Sequence, residues 1–256
     1  MTPHVVSVEH LALRFGEREL WHDLTFDVDR GEFLAVLGPN GAGKTSLLRL
    51  LLGQLEPTAG RVTLDRSRIG YVPQQRAFDR DLPLRGRDLV RFGLDGHRWG
   101  IGRLTAHDRG RIDEAVAAVG AAALAEAPLG RLSGGEQQRL RVAQALVSNP
   151  NLLLADEPLL SLDLAYQQVI VRLLDERRRS AGTPVVFVTH DVNPILAAVD
   201  RVLYLGPYGW AIGTVDDVLT SETLSRLYGT AIDVLRVRGR VVVVGTPDAE
   251  HVHHVH

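Results

Sequence analysis

Three short stretches of this chain carry residue types whose spacing could do chemistry. The run Gly38-Pro39-Asn40-Gly41-Ala42-Gly43-Lys44-Thr45, with Ser46 behind it, fits the pattern G-x4-G-K-[ST]. Glycines there let backbone N–H groups wrap phosphate oxygens, and a following helix adds the positive end of its dipole. The Lys44 ammonium would reach the outer phosphates of a nucleoside triphosphate, and the Thr45 hydroxyl is an oxygen ligand suited to Mg²⁺. The plain alternative is a loop that merely turns a strand into a helix. Its setting, behind an unbroken apolar run and ahead of a helical pattern, argues for phosphate binding.

The second stretch is Leu152-Leu153-Leu154-Ala155-Asp156-Glu157-Pro158. Ligands of open α/β sheets gather at the carboxyl ends of strands, where Asp156 and Glu157 fall. Neighbouring strand residues face opposite ways, so the two carboxylates need not share a job. Asp156 is placed to hold the Mg²⁺ shell, and Glu157 to polarise an attacking water. Standing alone, the pair reads equally well as a solvated acidic turn. The third stretch, Leu132-Ser133-Gly134-Gly135-Glu136-Gln137-Gln138-Arg139, is a small turn at a helix start. It offers a second phosphate-binding end, or an ordinary capping turn.

Holding these stretches requires strands and helices in a particular order. Short apolar or alternating runs predict strands at Val5–Val8, Leu11–Leu13 and Thr25–Val28, then a buried strand over Phe33–Leu37. A helix over Thr45–Leu52 ends at Gly53, and strands follow at Arg61–Leu64 and Ile69–Val72. From about Gln75 to Ala145 the apolar β runs vanish. Helices are predicted over Arg111–Ala127, behind a possible Thr105 cap, and over Glu136–Leu146. Strands return at Leu152–Ala155 and Val185–Val188, with a helix over Leu164–Arg179 between them whose final Arg177-Arg178-Arg179 suits the dipole. Strands alternating with helices imply an α/β fold with a mainly parallel sheet and right-handed crossovers. A hairpin, Val234–Val237 with Val241–Val244, closes the pattern around Gly239.

Composition narrows the function further. The 256 residues are 45 % apolar and 23 % charged with a formal net charge of −2, which is enough apolar surface to offset ordering entropy. Twenty-nine basic against 31 acidic residues leave no excess to neutralise phosphate backbones, so nucleic acid is not an expected partner. The absence of cysteine excludes disulfides, thiolate metal sites and cysteine nucleophiles, and fits the cytoplasm. The Ala/Val-rich stretch Ala115–Ala127 is too short and too interrupted to span a bilayer, and the first residues lack the layout of a signal peptide. Work at a membrane would need a partner to hold the chain there.

Together, GPNGAGKT, LSGGEQQR and LLLADEP resemble the ATP-binding subunits of ABC transporters, over residues 5 to 230. The resemblance implies a P-loop NTPase core, an N-terminal antiparallel β subdomain and an inserted helical subdomain at about 75–145. Residues 1–230 would form one nucleotide-binding domain, and 231–256 an extension with a histidine-rich tail. The cofactors implied are ATP and Mg²⁺, with Thr45, Gln74 and Asp156 around the metal. Phe15 matches an aromatic that stacks on adenine, although a core phenylalanine is the plainer reading. Gln74 matches a glutamine that senses Mg²⁺ and water, Asp163 a loop that signals across a dimer, and His190 a histidine contacting the γ-phosphate. Glu157, His190 and Gln74 are then the catalytic group. Phe15, residues 38–46, Ser133, Gly134, Gly135 and Asp163 would bind the nucleotide.

The resemblance also implies partners. Two subunits, most simply two copies, would pack head to tail, each ATP lying between the glycine loop of one and Ser133-Gly134-Gly135 of the other. A polytopic permease would dock near Gln75–Phe92, with Arg76, Phe78, Leu82, Leu84 and Phe92 as candidate contacts, and an extracytoplasmic substrate-binding protein would complete the system. The chain would sit on the cytoplasmic side of the membrane. Two departures stand out: Leu159-Leu160 where small or hydroxyl residues are usual, and Arg85-Gly86 in place of a hydroxyl helix start, which predicts a helix there that frays or is oriented differently. Ile69–Gln74, Asp79–Leu84 and Leu227-Tyr228-Gly229 look like importers of manganese, zinc, iron or iron chelates. Four histidines among residues 251–256 could bind Zn²⁺ or Ni²⁺, or simply form a solvated end. The competing classes are a single-cassette ATPase of cofactor assembly and a P-loop kinase, which leaves Ser133-Gly134-Gly135 unexplained.

Overall fold

The computed structural model describes residues 4–75, 78–95 and 104–245. Arg76 and the histidines of 251–256 lie outside them. The chain opens with β1 (Val6–Phe15) and β2 (Arg18–Val28), an antiparallel pair turning at Gly16. The expected breaks between short strands are irregularities inside two long ones. His10 and Asp23 take positive φ of 49° and 52°, and the register shifts between Val8 and Leu11, the mark of a β-bulge. One extra residue scrambles the two-residue alternation, which is why the pattern alone suggested separate pieces.

β3 (Phe33–Leu37) leads through the glycine loop into α1 (Lys44–Leu51). β4 (Ala59–Leu64) returns to pair with β1, completing a three-stranded sheet in the order β2-β1-β4. After β5 (Ile69–Val72) come the helices α2 (Gly86–Asp95), α3 (Ala106–Ala118) and α4 (Gly134–Leu146). α3 starts earlier and stops sooner than predicted. Thr105 caps it through Asp108, and Gly120, at φ 66°, ends a run that its alanines would otherwise extend. The start of α2 is fastened rather than frayed. Asp88 accepts the Arg85 N–H at 2.9 Å, and the N–H groups of Gly86 and Arg87 donate to the carbonyls of Ala127 and Ala125. These backbone partners lie about forty positions away, beyond the reach of a local capping rule.

β6 (Leu152–Asp156), α5 (Leu164–Ala181), β7 (Val185–Val188), β8 (Arg201–Gly206) and β9 (Gly209–Gly213) follow. The six-stranded sheet runs β5-β6-β7-β3-β8-β9, parallel except for β9. Both of its faces are covered. Phe33, Ala35, Leu153, Ala155 and Phe187 face the helical layer of α4 and α5, whereas Leu34, Val36, Leu152, Leu154 and Val186 face α1 and the antiparallel sheet. Continuous apolar runs in β3, β6 and β7 are the sequence trace of that double burial. The Phe33 and Phe187 rings meet at 5.5 Å, and such pairs add about 1 kcal/mol beyond area burial. The chain closes with α6 (Val215–Val218), α7 (Ser221–Tyr228), and the hairpin β10 (Ile232–Val237) and β11 (Arg240–Gly245). Among the described residues no helix is long and apolar enough to cross a membrane.

Candidate functional site

Because β6, β7 and β3 are adjacent and parallel, their carboxyl ends deliver three segments to one place: Asp156-Glu157, Thr189-His190 and the glycine loop. The loop's last glycine is required twice over. Gly43 sits at φ 92°, and a Cβ there would lie 2.5 Å from Trp21 Nε1. α1 therefore begins without any side-chain cap, leaving its first N–H groups available to a ligand. A cavity of about 430 Å³ lies in front of it, lined by Phe15, Asn40, Gly41, Gly43, Lys44, Thr45, Ser46, Gln74, Asp156 and Glu157.

The polar groups in this cavity hold one another. Thr45 Oγ1 donates to Asp156 Oδ2 at 2.9 Å, and Lys44 Nζ donates to the carbonyls of Gly38 (2.7 Å) and Pro39 (3.0 Å). Asp156 is only 1 % exposed, and burial pushes its carboxyl above the ordinary range. Burial likewise pulls the Lys44 ammonium below its usual value, against the opposing pull of Glu157 and Asp156. Glu157 takes φ 51°, a conformation that costs a residue with a Cβ on the order of 1 kcal/mol. Its N–H is held by the Val188 carbonyl at 3.0 Å, and its carboxylate lies 2.9 Å from His190 Nδ1. Buried hard oxygens beside a lysine-tipped loop suit a polyanion accompanied by a hard cation.

Most of the residues singled out by sequence converge here. Phe15 is half exposed and lines the cavity, so the core reading is set aside. Gly38 and Pro39 line the neighbouring cavity on the side of β8, and Ala42 is half-buried in the loop between. Ser133, Gly134, Gly135 and Asp163 do not line the Lys44 cavity. The Ser133 turn borders the loops of Gln75 and Ser161 while Ser133 itself is exposed, and a Cβ on Gly135 would come within 2.8 Å of the Ser161 carbonyl. Asp163 caps α5 by accepting the Tyr166 N–H at 2.9 Å. Of the atypical pair, Leu159 is buried in the core and Leu160 is exposed. Arg18 went unnoticed in the sequence: its guanidinium donates to the Gly41 carbonyl at 3.0 Å and braces the loop. Its only signal is a place three residues beyond Phe15.

Comparison with known proteins accords with this geometry. The family model for ABC transporters matches residues 21–160. The zinc transport system ATP-binding protein TroB of Treponema pallidum is 35 % identical over 238 residues, covering 90 % of this chain and 89 % of that one. The manganese transport system ATP-binding protein MntB of Halalkalibacterium halodurans is 33 % identical, covering 94 % of this chain and 98 % of its own. Among solved structures, a metal-chelate type ABC transporter in an inward-facing conformation superposes with a TM-score of 0.82 at 31 % identity, over 96 % of this chain and 99 % of that one. A dimeric ATP-binding cassette in a post-hydrolysis state, bound to ADP and Pi, gives 0.69 at 28 % identity, over 78 % and 94 %. With a phosphate loop, a buried carboxylate and a Glu–His pair meeting at the ends of three parallel strands, this chain belongs to the ABC transporter family as an ATP-binding, ATP-hydrolysing subunit.

Proposed function

We propose that this chain powers the import of a divalent metal ion or metal chelate, working as a pair of identical copies beneath a polytopic permease. The names of its zinc and manganese relatives support that cargo, and speak for transport over soluble cofactor assembly. The observation that carries the hydrolytic part is the Glu157–His190 pair, 2.9 Å apart, at the rim of the Lys44 loop.

Each residue then has a chemical task. The Phe15 ring stacks on adenine, while the N–H groups of residues 38–46 and the Lys44 ammonium take the phosphates. Lys44 must exchange its carbonyl partners for phosphate oxygens, a trade toward a full negative charge. Glu157 orients and deprotonates the attacking water, and His190 fixes the Glu157 carboxylate from one side while facing the outer phosphate. Thr45, Gln74 and Asp156 are the oxygen donors that would hold Mg²⁺, and the buried Asp156 carboxylate, already hydrogen-bonded to the Thr45 hydroxyl, fits that part. When bound, the ion neutralises charge on the phosphate oxygens.

Ser133-Gly134-Gly135 lies outside its own chain's cavity, which supports a second copy supplying that turn to the nucleotide, with Asp163 beside it. Catalysis then completes only when the pair closes. Phe78, Leu82 and Leu84 are half-buried against the helical layer, and Phe78 lies under the Arg141 guanidinium at 4.5 Å, whereas Phe92 is 47 % exposed. Phe92 is thus the most available apolar contact for a permease, which would hold the chain at the cytoplasmic face. An extracytoplasmic binding protein would deliver the cargo. Two measurements test this. ATP turnover per subunit should rise steeply with chain concentration, and a flat curve counts against a shared site. In vesicles containing the permease, Lys44→Ala should abolish zinc or manganese uptake while the subunit stays bound; undiminished uptake removes the motor role.

A further inference from the structure

The loop carrying His190 is gripped from behind by the C-terminal hairpin. Asn193 Nδ2 donates to the Val241 carbonyl at 3.0 Å, and Asn193 Oδ1 accepts the Val241 N–H at 2.8 Å, a clamp closed across 48 positions of sequence. The same Nδ2 and the Asn193 backbone N–H donate to Asp191 Oδ1, at 2.8 and 2.9 Å. Asp191 in turn exchanges hydrogen bonds with the Thr189 hydroxyl, which accepts the Asp191 N–H at 3.2 Å and donates to its carbonyl at 3.1 Å. His190 lies between those two residues. Asn193 uses both amide donors and its acceptor, so its orientation is set: a flipped amide would aim oxygen at a carbonyl and a carboxylate.

The hairpin end of the clamp is firmly seated. Val241 is 5 % exposed and joins the core that contains Ile195 and Leu227, while Val242, Val243 and Val244 beside it are exposed. Cavities of about 440 and 620 Å³ flank His190, and both reach the hairpin, one at Arg240 and the other at Val241–Val243. We infer that Asn193 is a positioning residue for hydrolysis, through which the docked hairpin sets the loop that aims His190. This inference rests on the catalytic role of His190 given above. A hairpin that looks like an appendix is then part of the active-site scaffold, and whatever loosens it slows turnover.

Steady-state hydrolysis by the full-length chain, at concentrations where pairs form, tests this. Asn193→Ala should lower kcat about tenfold, part of the roughly hundredfold that a full 1 Å misplacement of a catalytic group can cost. KM for ATP should stay within about twofold, because the binding loop is untouched. Asn193→Asp keeps size and acceptor but loses both donors, and should be at least as slow; a wild-type rate would overturn the clamp. Val241→Ala should lower kcat in the same direction, and combining it with Asn193→Ala should cost less than the sum. In a His190→Ala background, Asn193→Ala should add nothing. An equal loss there, or an unchanged kcat in the single variant, refutes the inference, whereas a fast His190→Ala enzyme refutes the role of His190 itself. The imidazole NMR signal of His190, assigned by its absence in His190→Ala, should move in Asn193→Ala. An unmoved signal also overturns the proposal, even if rates in the His190→Ala background are too low to compare.

Discussion

Two helices of this chain start at glycine-rich turns, and they treat their unpaired N–H groups in opposite ways. α1 begins at Gly43 with no side-chain acceptor and no acidic residue in its first turn. α4 begins at Ser133 with a full capping box: the Ser133 hydroxyl accepts the Glu136 N–H at 3.3 Å, and the Glu136 carboxylate accepts the Ser133 N–H and hydroxyl, each at 2.8 Å. The first end faces the cavity that Lys44 lines; the second borders two other loops with Ser133 exposed. A helix start left bare can offer its N–H groups to an anion, whereas a capped one has already met part of that demand within its own chain. Of these two starts, α1 is the one that faces the cavity lined by Lys44. The start of α4 is already satisfied within its own chain, with Ser133 exposed.

Substitutions at the two ends sharpen the contrast. The largest effect is expected from Gly43→Ala, which forces a Cβ against the Trp21 indole at an unfavourable φ. Nucleotide affinity should fall by at least about tenfold and stability by about 1–3 kcal/mol, read by ATP titration and urea melts. Tight ATP binding by this variant would show that α1 is less constrained than its geometry implies. Phe15→Ala should weaken ATP binding by about fivefold, matching roughly 1 kcal/mol of stacking, with stability unchanged within about 0.5 kcal/mol. A stability loss of several kcal/mol would instead mark Phe15 as a core residue.

At the capped end, Ser133→Ala should cost about 1 kcal/mol of stability and leave ATP binding by dilute chain intact, while slowing concentration-dependent turnover. Equal loss of binding in dilute chain would erase the distinction between the two ends. The smallest effect is a pH signature. Hydrogen bonds from Ser133 hold the Glu136 carboxyl below its ordinary value of 4.5, so its stabilisation is complete above that value and is lost as pH falls through the depressed one. The stability gap between the wild-type chain and Glu136→Ala should hold steady from about pH 7 to about pH 5, then close in more acidic solution. α1, with no carboxylate in its first turn, supplies no matching component.

The parts legible in advance were those whose physics is local. A glycine-rich loop ending in Gly43-Lys44, a capping turn at Ser133 ahead of a helix, and apolar runs too continuous for a one-sided sheet each carry their own explanation. Strand and helix limits were harder wherever distant backbone intervened, as at the His10 bulge and at the Gly86 start held by Ala127.

By itself, then, the order of residues determined the chemistry on offer: a phosphate loop, two carboxylates, a second helix start and a histidine after a buried strand. Tertiary structure alone decided which of these meet. It joined Thr45 to Asp156 across 111 positions, turned Phe15 outward, set Ser133 apart from Lys44, and tied Asn193 to Val241. The reason is that hydrogen bonds and burial act through space, so groups far apart along the chain acquire partners only once parallel strands bring their ends together.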